Sequence, residues 1–242
     1  MSAAALAWQQ FRLERKLFWR NPSAAFFNFI LPLLLLVLVA SVFASDKHEL
    51  RVLIPGIAGM SVMATTFNAL AFNLTFLREQ GILKRVLGTP TPVASYFFGL
   101  LASAVTNAFV QVALVVVIGH VAYGVEWPSD VPLLIGFTAL GVSCFGALGI
   151  ALSHATPNFD SAPAYVNAVF LPVIFVSGVF YSSSHLPSVL KGMAEALPLK
   201  HLIDGFSAAI VGGSVDTVGA AAAVAGWAAV AAFLALRYFR WE

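Results

Sequence analysis

Six long stretches without Asp, Glu, Lys or Arg divide this chain, and they decide what must surround it. They cover residues 21–45, 52–77, 86–125, 131–159, 161–190 and 217–236. Each holds about 20 apolar residues or more, the length of α-helix that crosses a hydrocarbon core of ~30 Å. Only 10% of the 242 residues are charged and 60% are hydrophobic, with a mean hydropathy of +0.90. A soluble domain carries about 25% charged residues. A soluble fold of this size has no interior large enough for so much apolar surface, so lipid must cover it. The expectation is an all-α membrane protein with one transmembrane domain over 1–242. Its spans should lie near 24–44, 53–76, 97–121, 132–153, 163–181 and 217–236. Pro32, Pro55 and Pro172 are expected to kink or break spans 1, 2 and 5.

An even number of spans puts both termini on one side. Arg12, Arg15, Lys16, Arg20, Arg78, Lys84, Arg85, Arg237 and Arg240 then share that side, nine in all. Lys47, Arg51, Lys191 and Lys200 make four on the other. The positive-inside rule assigns the richer side, and both termini, to the cytoplasm. The first apolar stretch is too long for the core of a cleaved signal peptide, which runs to about 7–15 residues.

Three segments outside the spans have a pattern of their own. Residues 2–20 read as a helix lying along the inner surface, with Leu6, Leu13 and Leu17 in one stripe and Trp8, Phe11 and Phe18 in another. Residues 78–92 contain a short basic helix with an apolar side, stopped by Gly88 and Pro90. Its basic residues fit a solvated topology anchor and a docking helix for a cytoplasmic partner equally well. Residues 182–211 contain two amphipathic pieces, Leu186–Leu197 and Leu199–Val211, each too short to span. They are expected to dip into the outer leaflet as re-entrant helices.

Much chemistry is missing. There is no Gly-Lys dipeptide, so no phosphate-binding loop of the Walker type, and no nucleophile constellation. No catalytic, cofactor-binding or metal-binding residue is expected. The net charge of +2 says nothing about nucleic acid, but no basic tract or RNA-binding signature appears, and no nucleic-acid partner is expected. The lone Cys144 excludes an internal disulfide. Gly141, Gly146 and Gly149 sit within span 4 and, with Ser143, Ala147 and Ala151, read as small-residue helix packing. No charged residue sits mid-span, which opposes an ion-gradient-driven carrier. His120, His154 and Asp160 fall at span ends. Asn68, Asn107, Gln111 and Asn167 are polar at membrane depth. They either line a path for an amphipathic substrate or bond to neighbouring helices.

Four places in this order resemble the permease subunits of type-2 ABC exporters, a family that includes drug exporters of the daunorubicin-resistance type and polysaccharide exporters. They are Arg20-Asn21-Pro22 with Phe29 and Pro32, and Arg78-Glu79-Gln80-Gly81-Ile82-Leu83-Lys84-Arg85 ending in Thr89-Pro90. The others are Gly178-Val179-Phe180 with Leu186-Pro187, and Leu197-Pro198-Leu199-Lys200-His201-Leu202-Ile203-Asp204-Gly205. Gln80, Ile82 and Leu197 depart from the usual residues. The resemblance implies that 2–20 is a connecting helix, and that Arg78 to Arg85 dock on an ATPase subunit. It implies two permease copies with two ATPases, which bind the ATP and Mg that this chain does not. A path between the permeases would be flanked by spans 1, 2 and 5, with Phe29, Asn68, Asn107, Gln111, Asn167 and Phe180 as candidate lining residues. The implied cargo is a hydrophobic drug or lipid-like molecule, or alternatively a polysaccharide or glycolipid. The implied address is a bacterial or archaeal cytoplasmic membrane.

Overall fold

The computed structural model describes residues 3–43, 46–88, 92–181, 187–212 and 215–238. Thr89-Pro90, Ser182 to Leu186 and the last four residues lie outside the described residues. Among the described residues all regular structure is helical.

The helix α1 (Ala3–Arg20) leads into α2 (Pro22–Ala25), a π-helical turn π1 (Phe26–Ile30) and α3 (Leu31–Val42). Pro32 follows π1 directly, in the first turn of α3, and the helix runs on through it. Asp46 caps the next helix, accepting from the His48 amide at 2.9 Å. That helix runs without a break through α4 (Lys47–Met63), π2 (Ala64–Asn68) and α5 (Ala69–Glu79), 33 residues in all. Pro55 lies inside it and does not end it, contrary to the alternative of a break. Every residue from Leu53 to Met63 is buried, and this packing outweighs one missing backbone bond.

After a turn come α6 (Ile82–Leu87), α7 (Val93–Tyr123), α8 (Val131–Ala155) and α9 (Ala162–Val176). Then follow α10 (Ser188–Ala196), α11 (Pro198–Ile210) and α12 (Thr217–Tyr238). Among the described residues four helices are long and apolar enough to cross a membrane: Lys47–Glu79, Ser95–Tyr123, Val131–Ala155 and Thr217–Arg237. The apolar helices Asn28–Val42 and Ala162–Val176 are shorter. The first expected span, 24–44, is thus a helix interrupted by π1. The fifth, 163–181, stops at Ser177 because Gly178 turns left-handed, at φ 76°. Pro172 stays inside α9.

The core forms where α11 wedges among α4, α8 and α12. Leu199, Leu202 and Phe206 of α11 are wholly buried. Small residues make the room: Ile203 presses on Gly59, Leu202 on Gly141, and the Phe137 ring on Gly205. Gly149 meets the Phe67 carbonyl so closely that a Cβ would stand 2.6 Å from it. Gly141 and Gly149 of α8 therefore act as packing residues, as their spacing predicts. At its C-terminal end α11 is tied to the start of α8: the Asp130 amide and Ser129 hydroxyl donate to the Ala209 carbonyl, at 3.0 and 3.1 Å. At its other end the Trp227 indole donates to the Ala196 carbonyl at 3.0 Å. α11 thus runs antiparallel to α8, from the level of Gly141 to that of Asp130.

Candidate functional site

The turn between α5 and α6 depends on Gly81, whose φ of 64° is left-handed. Its amide donates to the Arg78 carbonyl at 2.9 Å, closing α5, and its own carbonyl accepts from Arg85 at 3.2 Å, opening α6. Leu83 is 2% exposed. It fills a small core with Leu70, Leu74 and Leu77 of the preceding helix and Tyr96, Leu100 and Ala104 of α7. With one face anchored, α6 turns Lys84 and Arg85 outward, and Gln80 is exposed beside them. Gly81 and Ile82 are half-buried.

Arg78 and Glu79 do something the sequence gives no hint of. The Arg78 guanidinium donates to the Ser153 carbonyl at 2.8 Å and to the Thr156 carbonyl, satisfying acceptors at the C-terminal end of α8. The Glu79 carboxylate accepts from the Phe159 amide at 2.5 Å, just before α9. Phe76 and Phe159 meet edge to face at 5.4 Å. The eight residues Arg78 to Arg85 therefore divide by direction. Two clamp the α8–α9 loop, one anchors inward, and Gln80, Lys84 and Arg85 are presented.

A second polar group runs along α7. Ser103, Asn107 and Gln111 recur every four residues on one face, and all are buried. Asn107 accepts a hydrogen bond from the Arg15 guanidinium of α1. Gln111 donates to the Phe29 carbonyl in π1 at 3.3 Å, and its side-chain oxygen is buried without a partner among the described residues. Phe29 itself stacks on Trp19 at 5.9 Å and meets Phe18 at 5.7 Å. So Phe29, Asn107 and Gln111 come together at the seam of α1, π1 and α7. Asn68 lies in π2, which also packs on α7, and its side-chain oxygen is buried without a partner among the described residues. Asn167 is exposed on α9, and Phe180 packs near Phe175 at 6.1 Å beyond that helix's end.

This geometry revises α1. Ala7, Gln10, Phe11, Glu14, Arg15 and Phe18 form its inner face, and a Cβ on Gly99 would strike Gln10 at 2.6 Å. Trp8, Leu13, Leu17 and Trp19 point outward. The helix packs along α7 by a largely polar face and turns apolar side chains away. Gln10 donates to Glu14 at 2.8 Å. Burial nevertheless holds the Glu14 carboxyl above the ordinary range, only partly offset by that bond. Arg15→Leu is expected to cost about 1.5–3 kcal/mol, since a bond to a charged group is lost and Asn107 is orphaned. The double variant Arg15→Leu/Asn107→Leu should recover much of the loss in detergent melts. A double variant no more stable than the single would rule out this pairing.

Similarity to known proteins agrees with this architecture. The chain is 25% identical over 163 residues to nodulation protein J of Rhizobium meliloti (strain 1021), covering 67% of this chain and 62% of that protein. It is 24% identical over 172 residues to the inner membrane transport permease YadH of Escherichia coli (strain K12), covering 69% and 66%. It is 22% identical over 178 residues to the probable multidrug ABC transporter permease YbhS of the same strain, covering 69% and 44%. The chain thus spans about three-fifths of the nodulation protein. Residues 3–211 match the family described as ABC-2 type transporter. With most of its length matched, and its helices apolar enough to cross a membrane, the chain belongs to the ABC-2 type transporter family.

Proposed function

We propose that the chain is the membrane-spanning subunit of an ATP-driven exporter, worked by a separate ATPase subunit that docks on α6. The observation that carries this reading is the anchored turn: Leu83 is buried while Gln80, Lys84 and Arg85 are exposed. A short helix fixed on one side and charged on the other is a lever. ATP-driven closure of two ATPases would move such levers as rigid bodies. The Arg78 and Glu79 contacts would hand that movement to α8 and α9. ATP and Mg belong to the partner, and this chain supplies no catalytic group.

Six spans follow if the shorter helices α3 and α9 cross as well, with both termini in the cytoplasm of a bacterial or archaeal cell. The nine-to-four division of Lys and Arg supports that orientation. α10 and α11 are read as the re-entrant pair. Their turn reaches Trp227 and Gly141, each ~15 Å along a helix that starts at the outer face. Backbone at that depth is tolerated where protein shields it, and α4, α8 and α12 shield α11. The polar, exposed Asn167 on apolar α9 suits a face covered by a second permease copy. The path would run between the copies, near Phe29. A hydrophobic drug or lipid-like cargo fits the apolar surroundings; a glycolipid or polysaccharide is favoured by a polar cavity described below.

The reversal Arg85→Glu is expected to cut ATP hydrolysis by the co-purified complex roughly fivefold or more, through lost charge complementarity, with unchanged melting of the permease. Undiminished hydrolysis, or transport by the permease alone on a proton gradient, would sink the reading.

A further inference from the structure

A cavity of about 140 Å³ opens between α4, the Ser177–Tyr181 turn and α11. Pro55, Ser177, Tyr181, Lys200, Asp204 and Ser207 are among its lining residues. The Lys200 ammonium lies 2.5 Å from both Asp204 oxygens, and their side chains are only 16% and 29% exposed. Ser177 is 1% exposed, and its hydroxyl has no partner among the described residues. Pro55, inside a helix, brings no N–H to this wall. The Tyr181 hydroxyl donates to the Phe175 carbonyl, which leaves its oxygen able to accept.

Three properties narrow the occupant. The charge pair is neutral overall, so neither a cation nor an anion gains a net attraction. The lining offers donors and acceptors side by side, which disfavours a dry apolar guest. The volume is close to the ~150 Å³ of a cavity that holds one benzene ring, and below the ~300–1,000 Å³ of drug-sized sites.

We propose that this cavity binds one hydroxylated six-membered ring of the exported molecule, a sugar ring, on the outer side of the permease. The Asp204 carboxylate accepts from one ring hydroxyl and the Lys200 ammonium donates to its neighbour, both as charge-assisted bonds. Ser177 supplies the third contact and gains the partner it lacks. The assignment to exported cargo rests on the exporter reading above, but binding itself does not.

The test uses the full chain in phosphatidylcholine nanodiscs without any ATPase, titrated calorimetrically with octyl glucoside below its micelle concentration. Octyl phosphocholine, with the same tail, and free glucose are the comparison probes. Octyl glucoside should bind and octyl phosphocholine should not. Glucose binding as tightly as the glucoside marks a free sugar as the source; glucoside alone marks a glycolipid. Ser177→Val should weaken binding about fivefold while leaving the melting temperature intact, because it removes a hydroxyl that bonds to nothing. Lys200→Met/Asp204→Leu should weaken it about a hundredfold. Equal binding of both octyl probes, or full affinity in Ser177→Val, overturns the proposal. Such a failure leaves ATP hydrolysis in the complex untouched, so it is distinguishable from failure of the exporter reading.

Discussion

Gly56→Val is expected to leave little or no folded protein in the membrane. A Cβ at Gly56 would stand 2.0 Å from the Val179 carbonyl oxygen, 2.8 Å from its carbon and 3.0 Å from its Cα. All three are backbone atoms, so no rotamer change can relieve the clash. Val179 is wholly buried and follows a left-handed Gly178, so the turn has no room to retreat. Overpacking a core costs about 1–3 kcal/mol when side chains can shift. Here the cost should reach about 3 kcal/mol or more, a large share of the ~5–15 kcal/mol that holds a domain together. Gly136→Ala is the control, because nothing lies within 4 Å of its Cβ position. It should change stability by less than about 0.5 kcal/mol. Membrane abundance and the detergent melting midpoint report both. Gly56→Val as abundant and as stable as Gly136→Ala would contradict the close approach of α4 and the Ser177–Tyr181 turn.

The second large effect is expected at Arg78. Its guanidinium bridges two carbonyls, those of Ser153 and Thr156, at the end of α8. A bond to a charged group contributes about 1.5–3 kcal/mol, so Arg78→Ala should cost about 3 kcal/mol in the melting of the purified chain. The orphaned carbonyls add to this, since they lie where helix α8 has run out of amide donors. Arg78→Lys should recover only part, because an ammonium lacks the planar fork that spans two acceptors. In the proposed complex with an ATPase subunit, Arg78→Ala should also lower substrate-stimulated hydrolysis more than basal hydrolysis. Equal losses in the two rates would mean that the clamp only holds the fold together. Unchanged melting would mean that the bridge is not made.

Four of the six expected spans coincide with long apolar helices, and they were legible because lipid punishes charge and charge gaps are a one-dimensional signal; the helices at the first and fifth are shorter. The short basic helix after span 2 was legible in Lys84, Arg85 and the Gly88 stop, but the left-handed turn at Gly81 shows only in the structure. What escaped is what depends on a neighbour far along the chain. Arg15 was counted as a surface residue, yet it meets Asn107 midway along α7. A linear count of intramembrane charge cannot see a guanidinium delivered by another helix. Of the polar residues at depth, Asn107 and Gln111 bond to neighbouring elements, while Asn68 and Asn167 have side chains that sequence periodicity could not orient. α11 was too short and too amphipathic to read as core, yet its buried face is set by glycines on α4 and α8. The π turns at Phe26–Ile30 and Ala64–Asn68 carry no local signature; they register how neighbouring helices fit together.

The pairing of Arg15 with Asn107 also imposes an order of events. The partner lies 92 residues downstream. At about 5–20 residues per second of synthesis, the first helix waits roughly 5–20 s before α7 exists to receive it. During that interval Gln10 can still bond to Glu14 within the helix, but the Arg15 guanidinium lacks Asn107. The first helix can thus pack onto α7 only after every helix from α2 to α6 has been made.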